Sequence, residues 1–389
     1  MENERIMIYI CSVMKRTREL DQKLICGIQQ IGVGVRNVYE AWKWYIPHFG
    51  MNVKMFEDRA TAEYMLPHTA GKPRERHAAL AINMLGGGGF EIWQHTGRTP
   101  EAPAFELRLG DLGIFAGKIK APDAEAAFEH LKSGSRPLTG IVKDPVGRKT
   151  FFLKDPFDNI WQVVEEGSMF MKHAGNKTGG SFGAIIGTTN PDKAVRLYSG
   201  ILGYQIVAYD KNGTFPDLEG VPGGTSKFRR VLLKHGNTLK GPFSRLFGPS
   251  EIELVQVLDR QPEQIFQNRI WGDLGFIHLC FDVVGMKKLK EECDTNGFPF
   301  TVDSDVHPLG KPFDMGEAAG HFAYVQDPDG TLIEFVETHR IPISKRFGWY
   351  INLWKRRDVT KPLPDWILKM LRFMKVNPRK LRILEARHE

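Results

Sequence analysis

Short runs of alternating apolar and polar residues, separated by turn residues, recur along the chain in four similar groups. The run Gln30 to Asn37 reads as a strand and leads into a helical stretch from Ala41 to Gly50; Gly183 to Asn190 leads in the same way into Ala194 to Gly203. Asn37 and Asn190 lie near the helix starts, and Gly50 and Gly203 stop the helices. The spacing from the first residue to the tyrosine is the same in both, Gln30 to Tyr45 and Gly183 to Tyr198. Asp111-Leu-Gly-Ile-Phe115 and Asp273-Leu-Gly-Phe-Ile277 open a second pair of strands, followed by helices over Ala124 to Leu131 and Met286 to Asn296. Each of these groups closes on a hairpin with an Asp-Pro turn, Phe151 to Gln162 and Phe322 to Glu334, in which Pro presets φ and Asp or Gly tolerates the return.

The pattern predicts an α+β chain of four tandem βαβββ modules at 28–98, 111–167, 181–260 and 273–338. An N-terminal extension at 1–27 precedes them and a basic amphipathic extension at 343–389 follows. A chain of 389 residues exceeds what one core usually supports, which agrees with this division. The apolar stretch Ile6 to Val13 is short, follows acidic residues and lacks a small-residue cleavage site. It reads as neither a signal peptide nor a membrane span.

The net charge of +7 changes the picture only once it is localised. Residues 343–389 carry thirteen Lys/Arg against four Asp/Glu, so the body before them is slightly acidic. No basic folded face or nucleic-acid motif is expected. Four scattered cysteines without a CxxC pair point to a reduced, cytoplasmic setting.

The repeat, the helix ending in Tyr and Leu-Gly, and above all the hairpin Asp327-Pro-Asp-Gly-Thr-Leu-Ile-Glu334 resemble the vicinal-oxygen-chelate superfamily of glyoxalases, bleomycin-resistance proteins and extradiol dioxygenases. The resemblance implies modules that pair into two cupped mixed sheets, with metal ligands on the first and last strands of each module. Carried over position by position, it assigns Gln30 and Glu91 in module one and His278 and Glu334 in module four. The matching positions are Ile114 and Gln162 in module two, and Gly183 and Glu253 in module three, which are poor donors. The resemblance therefore implies that modules one and four share a cup holding one divalent ion, Zn²⁺, Ni²⁺, Co²⁺, Mn²⁺ or Fe²⁺. It leaves the second cup vacant, with Glu253 solvated or a structural remnant.

The activity implied is that of a metal-dependent lyase or isomerase. It would act on a small oxygen-chelating substrate, an α-hydroxycarbonyl or 2-oxoaldehyde adduct, through an enediolate, with Glu334 as the main base and Glu91 as the second catalytic carboxylate. The glyoxalase positions that meet glutathione hold Gly34, Leu274 and His95 here, which argues against a glutathione adduct. The alternatives are an extradiol-type dioxygenase, which needs two histidines where this register offers only His278, and a metal-free small-molecule binding protein.

Other features carry less. Gly86 to Gly89 reads as a hairpin loop, and Gly220 to Gly224 as a long loop that either covers a cup or is disordered. His77, His95, His307 and His321 have no distinguishing spacing. In the tail, Trp366, Ile367, Met370, Leu371, Phe373 and Met374 form an apolar stripe opposite Lys369, Arg372 and Lys375. The favoured reading is that this helix docks on its own domains or on a second subunit, with Trp349, Tyr350 and Trp354 beside it. An anionic membrane surface is the less favoured partner.

Overall fold

The computed structural model describes residues 22–172, 175–236, 238–306, 320–344, 349–353 and 356–386. Residues 1–21, His307 and Trp354 lie outside them, and with them the apolar N-terminal stretch.

Module one comprises β1 (Leu24–Gly34), helix α1 (Val38–Phe49), β2 (Val53–Ala62), β3 (Arg74–Ile82) and β4 (Gly89–His95). Module two runs β5 (Gly113–Ala121), α2 (Ala124–Leu131), β6 (Arg136–Pro137), β7 (Val142–Lys143), β8 (Lys149–Lys154) and β9 (Ile160–Glu165). Module three has β10 (Ser181–Gly187), α3 (Pro191–Val195) continued by a π-helical turn, β11 (Ile206–Gly213), β12 (Phe228–Lys234), the short α4 (Ser244–Phe247) and β13 (Glu251–Val257). Module four is β14 (Gly275–Val284), α5 (Met286–Thr295), β15 (Val302–Asp303), β16 (Gly320–Gln326) and β17 (Leu332–Thr338). The chain ends in a hairpin, β18 (Arg340–Ser344) and β19 (Trp349–Asn352), then α6 (Asp365–Met370) and α7 (Pro378–Glu385). β1 begins four residues before the boundary read from the sequence, because Leu24 and Ile25 already pair with Val284 and Val283.

Asn37 and Asn190 cap their helices, each side-chain oxygen accepting a backbone N–H three residues on. Gly50 ends α1 in the left-handed conformation at φ 66°.

The modules pair out of sequence order. Strands β15-β16-β17-β14-β1-β4-β3-β2 form one eight-stranded sheet, so modules four and one share it; modules three and two form the other. In each module the first and last strands run parallel, and the two modules of a sheet meet where their first strands pair antiparallel. Alternation then sorts the faces. Phe90, Ile92, Leu279, Phe281, Ile333 and Phe335 join the helices and the equivalent face of the second sheet in one apolar cluster. Glu91, His278, Cys280 and Glu334 point the other way, into the cup.

Consecutive modules are tied by a second device. Tyr45 donates its O–H to Asp155 Oδ2 at 2.9 Å, and Tyr198 donates to Asp327 Oδ2 at 3.0 Å. All four residues are buried. Each aspartate belongs to an Asp-Pro turn and uses its other oxygen to accept backbone N–H groups of that turn. The equally spaced tyrosines thus tie module one to two and three to four, while the sheets tie one to four and two to three.

The tail docks on its own domain. Leu353, Leu363 and Leu368 are buried with Val53, Ile82, Met84, Phe243 and the α4 residues Leu246 and Phe247. The buried face matches the stripe read from the sequence only in half: Ile367, Leu371 and Met374 pack inward beside the buried Leu368, whereas Trp366, Met370 and Phe373 are exposed. Among the described residues no helix is long and apolar enough to cross a membrane.

Removing one phenol oxygen should cost about 1.5–3 kcal/mol, since the aspartate would lose a strong donor in a buried site. Tyr45→Phe and Tyr198→Phe are each expected to lower the urea midpoint by a corresponding amount, with far-ultraviolet dichroism unchanged.

Candidate metal centre

The structure brings Gln30, Glu91, His278 and Glu334 together on the floor of the first cup. His278 Nε2 lies 3.2 Å from Glu91 Oε2 and 3.2 Å from Glu334 Oε2. Gln30 Nε2 lies 3.4 Å from each of the same two oxygens. Gln30 and Glu91 are held by the parallel β1/β4 pair, in which Gly32 stands opposite Glu91; His278 and Glu334 are held by β14/β17, in which Cys280 stands opposite Glu334. Each first-strand ligand therefore sits two residues before the partner of its last-strand ligand, and the antiparallel β1/β14 seam joins the two half-sites.

Gly32 makes this possible. A methyl group there would lie 2.6 Å from His278 Cε1 and 2.7 Å from Nε2, so the imidazole occupies space that any side chain would take.

Donor chemistry fits a divalent cation. Two carboxylates, an imidazole and a carboxamide converge, and the ligand atoms of Glu91, His278 and Glu334 all lie within 4.8 Å of one another. His278 Nε2 and Gln30 Oε1 are buried without a hydrogen-bond partner, and an ion would satisfy both. A carboxamide can turn either end toward its neighbours, its N–H₂ toward bare carboxylates or its oxygen toward a cation. Burial works to lower the His278 pKa, but Glu334 and then Glu91 overcome it and the net shift is upward. Burial raises the Glu334 pKa; His278 opposes that, and the neighbouring Glu91 charge adds to it.

The two carboxylates are not equivalent. Tyr324 donates its O–H to Glu334 Oε1 at 2.8 Å, and that oxygen is thereby fixed. Glu91 has no hydroxyl donor of this kind: in the cup it meets His278 Nε2 at 3.2 Å and Gln30 Nε2 at 3.4 Å, and its side chain is 12% exposed. Tyr324, cross-strand from Glu334, was not singled out by sequence reasoning, although its place three residues before the Asp-Pro turn is a usable signal.

Aromatic side chains wall the site. Trp271, from the linker before β14, packs at 4.6 Å from Trp93, 6.4 Å from His278 and 6.3 Å from Tyr324, measured between ring centroids. Its backbone N–H is held by the His68 carbonyl at 2.8 Å. Beside it lies a cavity of about 360 Å³ lined by Trp271, Ile277, Leu332, Phe266, His68 and Gln326, among others.

The positions that departed from the glutathione-binding pattern have structural reasons. Any side chain on Gly34 would meet the Asp273 carbonyl oxygen at 2.0 Å. His95 is buried 3.9 Å from Asp273, and burial first of all pulls its pKa down to about 4. His77 is engaged with Glu57 at 3.4 Å and His321 with Asp303 at 2.7 Å, so neither joins the cup's donor set.

The second cup differs from its expected vacancy. Lys118 Nζ lies 2.8 Å from Glu251 and 2.7 Å from Glu253; Arg148 holds Glu251 at 2.8 Å; Arg230 bridges Glu253 at 2.7 Å and Asp217 at 2.8 Å. Glu253 is fully paired rather than solvated, and Tyr209 adds an O–H at 2.7 Å. Burial works to raise the Glu253 pKa, but Arg230 and Lys118 hold it well below the ordinary range. The loop carrying Gly220 to Gly224 is ordered, with Leu218 and Val221 buried over this cup.

A register correction goes with this. Lys118 is opposite Gln162, so the counterpart of His278 is Ala116, not Ile114. Ala116 lies in the second cup's apolar cluster, whereas Ile114 turns to the helix side, as Phe276 does before His278. Gly183 and Glu253 stand where they were expected, since Ile185 faces Glu253 two residues after Gly183.

Comparison with solved structures shows the same architecture in glyoxalase I from Zea mays, with a TM-score of 0.50, 12% identity, and coverage of 81% of this chain and 92% of that one. A putative dioxygenase from Bacillus subtilis matches with a TM-score of 0.50, 14% identity, and coverage of 81% and 86%. The chain has the vicinal-oxygen-chelate fold. No protein-family model matches the sequence, and neither does any curated protein. Within this fold, the first cup carries the ligand-rich set and the second an internal ion network.

Three outcomes are expected. Gly32→Ala should displace the His278 ring and lower divalent-metal affinity at least about tenfold with the fold retained, since ligands are held by their supporting neighbours. Because its neighbours raise the His278 pKa, Zn²⁺ binding should release protons and weaken as pH falls through that raised value, beginning above the ordinary imidazole value of 6.5, read by calorimetry in buffers of different ionisation enthalpy. Lys118→Met should cost about 3–5 kcal/mol by leaving two buried carboxylates short of a counter-ion, without changing metal stoichiometry. With Glu253 held low, the network's contribution is present above the ordinary Glu value of 4.5 and is lost as pH falls below it.

Proposed function

We propose that this chain is a metal-dependent enzyme of the glyoxalase type, a lyase or isomerase acting on a small substrate that presents two neighbouring oxygens. The observation that carries this reading is the convergence of Gln30, Glu91, His278 and Glu334, with the His278 nitrogen 3.2 Å from both carboxylates. A divalent ion held there would supply Lewis acidity that makes a C–H beside a carbonyl acidic. Zn²⁺, Ni²⁺, Co²⁺, Mn²⁺ and Fe²⁺ all suit the donor set.

The chain's own groups would do the rest. Glu334 is the base we assign to proton removal: burial raises its pKa toward the working range, and Tyr324 orients one oxygen so that the other faces the substrate. Glu91, less constrained and slightly exposed, is placed to serve the second proton transfer. Trp271, Trp93 and Tyr324 keep water from the site and favour a substrate with an apolar or aromatic body over one with a charged peptide arm. Gly34 and His95 support the same preference, because neither offers a cation to a carboxylate.

The test is direct. Protein expressed with each metal should bind about one ion per chain, and metal-loaded protein should exchange solvent deuterium into the carbon next to the carbonyl of an α-hydroxyketone or 2-oxoaldehyde adduct. Glu334→Gln should reduce that exchange about a thousandfold while the fold and metal content persist. A folded chain that takes up none of these ions would replace the enzyme reading with that of a small-molecule binding protein.

A further inference from the structure

The C-terminal segment is held by one face and leaves the other uncovered. Inward, Leu368 is buried, and Ile367, Leu371 and Met374 pack against the cluster around Val53, Phe243 and Leu246. Backbone contacts fix the segment at both ends: Leu363 N–H donates to the Pro242 carbonyl at 2.8 Å, and Val376 N–H to the Asn52 carbonyl at 2.8 Å. Outward, Trp366 is 65% exposed, Met370 43% and Phe373 73%. Their spacing, i, i+4 and i+7, sets them along one side of the segment.

The exposed charges interspersed with this apolar face, and those on the α7 helix that follows it, are of a single sign. Lys369, Arg372, Lys375, Arg379, Lys380 and Arg382 are all exposed, and none makes an ion pair among the described residues. The Arg372 guanidinium lies 5.0 Å from the Phe373 ring. The acidic residues nearby are already engaged, Asp365 with Arg245 at 2.8 Å and Glu385 with Lys43 at 2.7 Å. A second copy of this face would meet it with like charge. A surface of densely packed anionic groups over an apolar layer complements both features at once, because amphipathic tryptophan and phenylalanine settle at headgroup depth while lysine and arginine meet the phosphates.

We propose that the outward face of residues 366–382 docks the protein on an anionic membrane surface without crossing it. This surface is separate from the first cup and does not depend on the metal or the reaction.

Cosedimentation of the full chain with vesicles tests the proposal. Vesicles of phosphatidylcholine containing about one third phosphatidylserine should carry the protein down, pure phosphatidylcholine vesicles should not, and about 0.5 M salt should release it. The double variant Trp366→Ala/Phe373→Ala should lose at least about tenfold in partitioning with its melting temperature unchanged, because the side chains removed are exposed. Lys369→Glu/Arg372→Glu should do the same while keeping the aromatic groups. Absence of sedimentation with anionic vesicles, or equal sedimentation of the variants, overturns the proposal. So does a dimer of the intact chain that Trp366→Ala/Phe373→Ala dissociates while no vesicle binding is seen, which would assign the face to self-association.

Discussion

The antiparallel seam between β1 and β14 is the constraint on which the first cup depends. It sets Gly32 against His278 and thereby joins a half-site from module one to one from module four. A single-residue slip would turn every ligand to the helix-covered face, where Ile31, Leu279 and their neighbours are fully buried. The hydrophobic pattern on that side therefore enforces the geometry on the other: carboxylates converge because the apolar residues between them have only one place to go.

The two cups solve the same electrostatic problem differently. Each gathers acidic side chains on a sheet floor where isolated carboxylates are costly. In the second cup, Lys118, Arg148 and Arg230 provide the compensating charge through ion pairs, and the loop with Asp217 closes over it. In the first cup no lysine or arginine approaches Glu91 or Glu334 among the described ion pairs; they meet the His278 imidazole and the Gln30 carboxamide, and Glu334 also meets the Tyr324 hydroxyl. The second cup thus carries its counter-charges in its own side chains, and the first does not.

Much of this was legible in the sequence, and the misses have physical causes. Equal spacing from Gln30 to Tyr45 and from Gly183 to Tyr198 marked the strand-helix units, and the Asp-Pro turns marked the closing hairpins; both proved to belong to the same buried tyrosine-aspartate contacts. The assignment of Ile114 was a miscount within a correct alignment: with Asp111 set on Asp273, His278 falls on Ala116, as the strand register also has it. Lys118 and Glu251 look like ordinary half-exposed strand residues, and only their partners across the sheet reveal that they are buried. The tail stripe was drawn too wide and off centre: on a helix Ile367, Leu371 and Met374 lie between Leu368 and the Trp366, Met370 and Phe373 side, so the body covers the Leu368 half and leaves the other half exposed.

The exchanged pairing of the modules bears on how the protein is made. Module one leaves the ribosome with the β1 edge that will later meet β14 still open, and modules two and three, which complete each other, must be synthesised before that partner exists. Tyr45 can hold module one against module two in the meantime through Asp155. The candidate metal site is therefore assembled only in the finished chain: a truncated or stalled product carries Gln30 and Glu91 but lacks the histidine and the second carboxylate that complete the donor set.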